Sequence, residues 1–94
     1  MHARVTTLSG PAENVDAGIE NFRTNVAPFV RSEGNGAILL VDRDNGQAIG
    51  ITLWEDEEAM RASEESANAL RASVADQMGA TPTVSRYEVA VFEV

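Results

Sequence analysis

The sequence predicts a single α+β domain, residues 1–94, in which a four-stranded antiparallel sheet carries two helices on one face. Three observations support this prediction: an Asn-Gly turn lies between two apolar runs, two segments repeat apolar residues with helical spacing, and both ends are rich in strand-forming residues. With 94 residues the chain is too short for a second core. Its 44% of hydrophobic and 23% of charged residues are ordinary for a folded protein.

The N-terminal third predicts a strand and then a helix. His2 to Leu8 favours a strand and ends at a Ser-Gly-Pro turn. From Asn14 onward, apolar residues recur at intervals of three and four, as in an amphipathic helix: Val15, Ile19, Phe22, Val26 and Phe29 or Val30. Because Pro28 has no N–H to donate to Thr24, we expect a kink or an early stop there, with residues 34–36 as the exit.

A β-hairpin is predicted in the middle of the chain. Its strands are Ala37 to Val41 and Ala48 to Trp54, and Asn45-Gly46 in the connection accepts the positive φ angles of a tight turn. The connection resembles the start of a calcium loop, but Leu53 stands where the closing glutamate would be needed. The segment therefore predicts a turn and no metal site.

The acidic residues 55–58 predict the start of the second helix. Carboxylates suit the free N–H groups of a helix start, and Asp56 is the expected cap. Helical spacing then continues to a stop at Gly79, through Met60, Ser63, Ala67, Leu70, Val74 and Met78. Glu57 and Arg61 should form an exposed ion pair one turn apart.

The C-terminal segment, Thr83 to Val94, alternates in the manner of a last strand. The element order is therefore β-α-β-β-α-β. Right-handed crossovers then favour the ferredoxin-like arrangement, with both helices on one face of the sheet.

This sheet carries more apolar surface than two helices can cover. We expect the row Ile49, Ile51 and Leu53 to face the helices, yet Ala37 to Val41 is apolar on both faces. Continuous apolar runs indicate burial on both sides of a sheet. The sequence therefore predicts a homodimer in which a second copy covers the open face.

Charge and composition limit the classes of molecule that the protein is expected to bind. A net charge of -8 disfavours both nucleic acid and anionic membranes, which are bound mainly by clustered Lys and Arg. The first ten residues lack the apolar core of a signal peptide, and the longest aliphatic run is too short to span a bilayer. Without cysteine there is no disulfide or thiolate site. We expect a soluble, cytoplasmic protein.

Three residues are candidates for ligand binding: Trp54, Tyr87 and Arg4. Trp54 shares a strand face with small side chains, so it either plugs the end of the sheet or borders a cavity. The Tyr87 hydroxyl would reach the same space, and Arg4 or Arg86 would neutralise an anionic ligand if turned inward. His2 is the sole histidine, which leaves no Ser-His-Asp triad, and no catalytic residue is assigned.

Two segments carry a family resemblance: Arg31-Ser32-Glu33-Gly34 before an aliphatic strand, and Ile51-Thr-Leu-Trp-Glu-Asp-Glu-Glu-Ala-Met60. They resemble the antibiotic biosynthesis monooxygenase-like group of the dimeric α+β barrel superfamily. The resemblance implies a ferredoxin-like subunit whose sheet packs against its twin as a dimeric α+β barrel, with a pocket in each subunit. Trp54 matches a tryptophan of those pockets. The haem-degrading members need a helical histidine and a first-strand asparagine, which are absent here.

Two functions therefore stay open. One is a non-enzymatic dimer that binds a small hydrophobic metabolite near Trp54, or only a protein partner. The alternative is a cofactor-independent monooxygenase, in which a bound phenolate reacts directly with oxygen beside Trp54, Tyr87 and Arg4. The scarcity of ionisable pocket candidates favours the first, and neither function calls for a cofactor or a metal.

Overall fold

The computed structural model describes residues 1–79 and 81–94 and confirms the predicted order of elements. The strands are β1 (His2–Ser9), β2 (Gly36–Asp42), β3 (Gln47–Trp54) and β4 (Thr81–Glu88). The helices are α1 (Val15–Asn21), α2 (Ala27–Glu33), α3 (Glu57–Ala62) and α4 (Glu64–Met78). A 3-10 turn (Ala12–Asn14) precedes α1, and a π-helical turn (Phe22–Val26) joins α1 to α2.

The strands form one antiparallel sheet in the order β2-β3-β1-β4. β1 pairs with β3 and β4, and β2 pairs with β3, as right-handed crossovers require. A core between sheet and helices joins four elements through Leu8, Val15, Ala48 and Ala75. The predicted ferredoxin-like α+β fold is confirmed.

The prediction for the two faces of β3 was wrong. Ala48 and Trp54 are buried among helix residues, and the Phe22 ring lies 3.4 Å from where a side chain on Gly50 would begin. The row that faces the helices is therefore Ala48, Gly50, Thr52 and Trp54. The row Ile49, Ile51 and Leu53 lies on the open face. The physical reason is that the helices supply the bulk of this core, so the strand beneath them carries small side chains.

The first helical region does not stop at Pro28. The N–H of Ala27 donates to the carbonyl of Phe22, five residues back, and α2 then continues to Glu33. Pro28 therefore lies in the first turn of α2, a position at which proline is tolerated. The predicted early stop is wrong, and the irregularity caused by proline takes the form of a π-helical turn.

The ends of the second helical region agree with the sequence. Asp56 caps α3 by accepting a hydrogen bond from the Ala59 N–H at 2.8 Å, and Glu57 pairs with Arg61 at 2.5 Å. Gly79 ends α4 with a φ of 64°.

The predicted single helix is nevertheless divided at Ser63. The predicted stripe continues to Val74 and Met78, whose side chains lie outside the described part of the structure.

The last strand is shorter than predicted. β4 ends at Glu88, which pairs with His2, the first residue of β1. Beyond it the N–H of Val89 donates to the carbonyl of Met1 at 2.9 Å, and residues 89–94 form no strand.

The hairpin turn also differs in detail from the prediction. Asp42 pairs with Gln47, so the loop has four residues, 43–46. Gly46 has a positive φ of 65°, whereas Asn45 does not. The backbone and side-chain N–H groups of Asn45 both donate to the Asp42 carboxylate. In the described residues, no helix is long and apolar enough to cross a membrane.

Candidate functional site

A cavity of about 60 Å³ lies between the sheet and the helices. We call it the helix–sheet pocket. Its walls combine aromatic and aliphatic side chains with four polar ones, Arg4, Thr6, Thr52 and Arg71. The space exists because Gly50 lies in the sheet beneath the Phe22 ring, where larger side chains would fill it.

Trp54 closes one end of the helix–sheet pocket. The side chain is buried, with 1% exposure, and its Nε1–H donates to Thr52 Oγ1 at 3.0 Å. The ring packs against Phe29, with centroids 6.0 Å apart, and the Arg4 guanidinium carbon lies 5.5 Å from the Trp54 ring centroid. Trp54 therefore packs at the end of the sheet and also borders the cavity, and its role in ligand binding stays a prediction.

Arg4 is buried and fastens β1 to the junction of α3 and α4. Its side chain is 4% exposed, and Nη2 donates to the carbonyl of Met60 at 2.7 Å and to Glu64 at 2.7 Å. Ser63 Oγ donates to the same Met60 carbonyl at 2.7 Å. The Ser63 backbone N–H also donates to this carbonyl, at 3.3 Å, and α3 ends at this point.

Glu64 is the carboxylate shared by the arginines at this junction. It accepts hydrogen bonds from Arg4 and Arg86, and Arg71 Nη2 lies 4.0 Å from its Oε1. Burial alone would raise the pKa of Glu64. The hydrogen bond from Arg86, together with the charge of Arg4, outweighs burial and holds that pKa below its ordinary value.

Acid is therefore expected to weaken the fold through Glu64. Because its pKa is lower in the folded protein than the ordinary 4.5, the unfolded chain takes up the proton first as the pH falls. The contribution is complete above about pH 4.5 and is lost as the pH falls through the folded value. In urea titrations, the stability advantage of wild type over Glu64→Gln should shrink below that pH. An advantage that is constant down to about pH 3 would contradict this assignment.

Arg71, on α4, was not identified from the sequence. Its side chain is only 13% exposed and lines the helix–sheet pocket, and Nη1 donates to Asn68 at 2.5 Å. The Nε and Nη2 groups are buried and have no hydrogen-bond partner. Burial lowers the pKa of Arg71, and the charge of Arg4 lowers it further. The sequence offered only a weak indication that Arg71 lies at the pocket: Arg71 follows Leu70 and lies four residues after Ala67, beside the predicted apolar stripe.

The structure brings together only part of the predicted site. Arg4 and Trp54 meet at the helix–sheet pocket, whereas Tyr87 lies on the other face of the sheet and is 57% exposed. Tyr87 borders a separate surface groove that also contains His2 and Glu88. Among residues 1–79 and 81–94, no three His, Asp or Glu side chains are placed so that they could hold a metal ion.

No protein-family model matches the chain. Two uncharacterized proteins of Mycobacterium tuberculosis H37Rv are similar to it. Rv2557 is 38% identical over 92 residues, which are 96% of this chain and 41% of the relative. Rv2558 is 34% identical over 93 residues, which are 97% of this chain and 39% of the relative. The chain thus spans about two fifths of the length of these curated relatives.

Solved structures show which fold the chain has. A Deinococcus radiodurans protein assigned as an antibiotic biosynthesis monooxygenase superposes with a TM-score of 0.74 at 17% identity, covering 100% of this chain and 97% of its own. The ActVA-Orf6 monooxygenase of Streptomyces coelicolor, solved with nanaomycin D, superposes with a TM-score of 0.72 at 21% identity, and the match covers 99% of this chain and 92% of that protein. The cofactor-independent oxygenase SnoaB of Streptomyces nogalater superposes with a TM-score of 0.68 at 20% identity, and the match covers 97% of this chain and 94% of SnoaB. The chain therefore has the fold of the antibiotic biosynthesis monooxygenase-like proteins, and the resemblance seen in its sequence is confirmed at the level of the fold.

Proposed function

We propose that the chain binds a small, mainly apolar metabolite in the helix–sheet pocket. The observation that carries this proposal is an aromatic and aliphatic cavity that also contains buried hydrogen-bond donors, the usual composition of a small-molecule site. The cavity of about 60 Å³ is smaller than the roughly 150 Å³ that takes up benzene in another protein. A single ring or a short aliphatic chain is therefore the largest ligand that modest side-chain movement would admit.

The second candidate is a cofactor-independent monooxygenase acting on an aromatic or phenolic substrate. It is favoured by the fold shared with SnoaB and the ActVA-Orf6 monooxygenase, and by two arginines at the pocket that would stabilise a phenolate. Fold alone does not carry activity to this chain, and the pocket is small for a polycyclic substrate and oxygen together. Binding of a small metabolite without catalysis is therefore preferred to monooxygenase activity as the proposed function.

We also propose that the chain forms a homodimer through the open face of the sheet, completing a dimeric α+β barrel. Ile38 and Leu40 lie on this face and are 42% and 50% exposed. Ile49 and Ile51 lie beside them on β3, so the exposed side chains form one apolar surface. A second copy of the same surface is self-complementary about a twofold axis.

Ligand binding is measurable directly, because the single tryptophan of the chain lies in the pocket. Adding benzyl alcohol should change the fluorescence of Trp54 in a saturable manner. Ala67→Leu, which fills the pocket from α4, should weaken binding at least about tenfold, an amount that corresponds to 1.4 kcal/mol. Ala72→Leu, at an exposed position of the same helix, is the matched control and should bind as wild type does.

An absence of saturable change in the wild type, or equal affinity in Ala67→Leu, would contradict the binding proposal. Oxygen consumption with anthrone tests the alternative in the same set of proteins. A saturable rate in wild type and Ala72→Leu that is lost in Ala67→Leu would establish the monooxygenase instead.

A further inference from the structure

We infer that the ligand of the helix–sheet pocket carries an anionic oxygen on its small apolar body, and that Arg71 is the residue that binds this oxygen. The inference rests on the proposed function and adds the chemical class of the ligand. It also assigns a binding role to a residue outside the set predicted from sequence.

Arg71 has hydrogen-bonding capacity that the fold leaves unused. Its guanidinium lines the pocket, yet only Nη1 has a partner, the side chain of Asn68. Nε and Nη2 are buried without a hydrogen bond, and the 4.0 Å from Nη2 to Glu64 is beyond hydrogen-bond reach. Buried donors are nearly always paired in folded proteins, so two orphaned donors on one guanidinium indicate a missing acceptor. Neighbouring donors of one guanidinium match the two oxygens of a carboxylate.

The positive charge at the junction of α3 and α4 also favours an anionic ligand. In the described part of the chain, the ion pairs of Arg4, Arg71 and Arg86 all go to one carboxylate, Glu64. Both oxygens of Glu64 already accept hydrogen bonds from Arg4 and Arg86. The junction therefore has an excess of positive charge, in a protein whose net charge is -8. An anion in the pocket would compensate that excess.

Arg71 and Arg4 differ in how their guanidinium groups are bound to the rest of the fold. Arg4 holds the carbonyl of Met60, Ser63 Oγ and Glu64 together, so its Nη2 is committed to the fold. Arg71 makes no comparable link between elements. Its one hydrogen bond is to Asn68 on the same helix, so its remaining donors are free to serve a ligand. Arg4 Nε is also buried without a hydrogen bond, but Nη2 fixes this guanidinium to the fold, so Arg4 acts as a fixed positive charge beside the site.

The rest of the wall selects the body of the ligand. Phe22, Phe29 and Trp54 line the same pocket, and they present apolar surface to whatever Arg71 holds. A strongly hydrated ion such as free phosphate would lose its hydration against these rings. The chemistry that fits both halves is a small aromatic or aliphatic carboxylate, or a phenolate.

The test compares two probes of the same shape, benzoate and benzamide, by the fluorescence of Trp54 and by calorimetry. Wild type should bind benzoate at least about tenfold more tightly than benzamide. Arg71→Leu should abolish this preference and leave benzamide affinity within about twofold of wild type, whereas Arg71→Lys should retain part of it. Arg61→Leu, at an exposed arginine that pairs with Glu57, is the charge-matched control and should keep the full preference. A second pair, 4-nitrophenolate and 4-nitrobenzyl alcohol, tells a phenolate ligand from a carboxylate one.

Each outcome decides the inference. Equal binding of charged and neutral probes by wild type, or a preference that survives in Arg71→Leu, overturns it while leaving the pocket as a binding site. Binding of neither kind of probe overturns it together with the proposed function. Arg71→Leu removes unpaired buried donors and should melt no lower than wild type by circular dichroism. If it unfolds instead, Arg71→Lys decides: a preference for benzoate that is reduced but retained supports the inference, and equal probe affinities overturn it.

Discussion

Leu40→Lys is expected to dissociate the proposed homodimer into single subunits. Leu40 is 50% exposed on the open face, and burying a leucine side chain contributes about 1.5–3 kcal/mol. In a twofold dimer each interface contains the substitution twice, so the loss is roughly 3–6 kcal/mol before the added charges are counted. The dissociation constant should rise by about two to four orders of magnitude. Sedimentation equilibrium at micromolar concentrations measures it.

The matched control is Ala72→Lys, which places the same charge at an exposed position of α4, among the helices. It should sediment as wild type does. Equal association of Leu40→Lys and wild type would show that the open face is not the interface. A wild-type protein that sediments as one subunit would remove the homodimer and with it the barrel.

Trp54→Ala should lower the free energy of unfolding by about 3–5 kcal/mol, as expected when a fully buried aromatic side chain is truncated. Trp54 is 1% exposed and packs in one cluster with Val30 and Met60. Such a loss is a large fraction of the roughly 5–15 kcal/mol that stabilises a domain of this kind. Urea unfolding followed by circular dichroism measures it, since the variant has no tryptophan fluorescence.

Trp54→Phe provides the comparison. It keeps most of the packing against Phe29 and loses the hydrogen bond from Nε1 to Thr52, so we expect a loss of about 1–2 kcal/mol. A loss below about 1 kcal/mol for Trp54→Ala would show that the neighbouring side chains close over the space that the ring leaves.

Much of the fold followed from signals that act over a few residues. The Asp56 cap, the stop at Gly79 and the hairpin around Gly46 are each determined by backbone groups within one turn of the residue concerned. Together with the spacing of apolar residues they give the order of elements, and right-handed connections leave few arrangements of that order. The sequence also placed Trp54 beside a row of small side chains.

The candidate site was predicted only in part, because its decisive features join residues far apart in the chain. Arg4 reaches the junction of α3 and α4, roughly 60 positions away, where a helix that looked continuous is divided. The orphaned donors of Arg71 are visible only when its surroundings are known. Tyr87 was grouped with Arg4, yet the register between β1 and β4 puts their side chains on opposite faces.

By itself the sequence determined the order of the strands and helical regions and the presence of two apolar faces on the sheet. Only the tertiary structure decided which face meets the helices, where β4 ends and which arginine lines the pocket. The physical reason is that alternation along a strand defines two faces without labelling either one. The helices decide which face is covered: the Phe22 ring lies over Gly50, and the isoleucines of β3 are left on the open side.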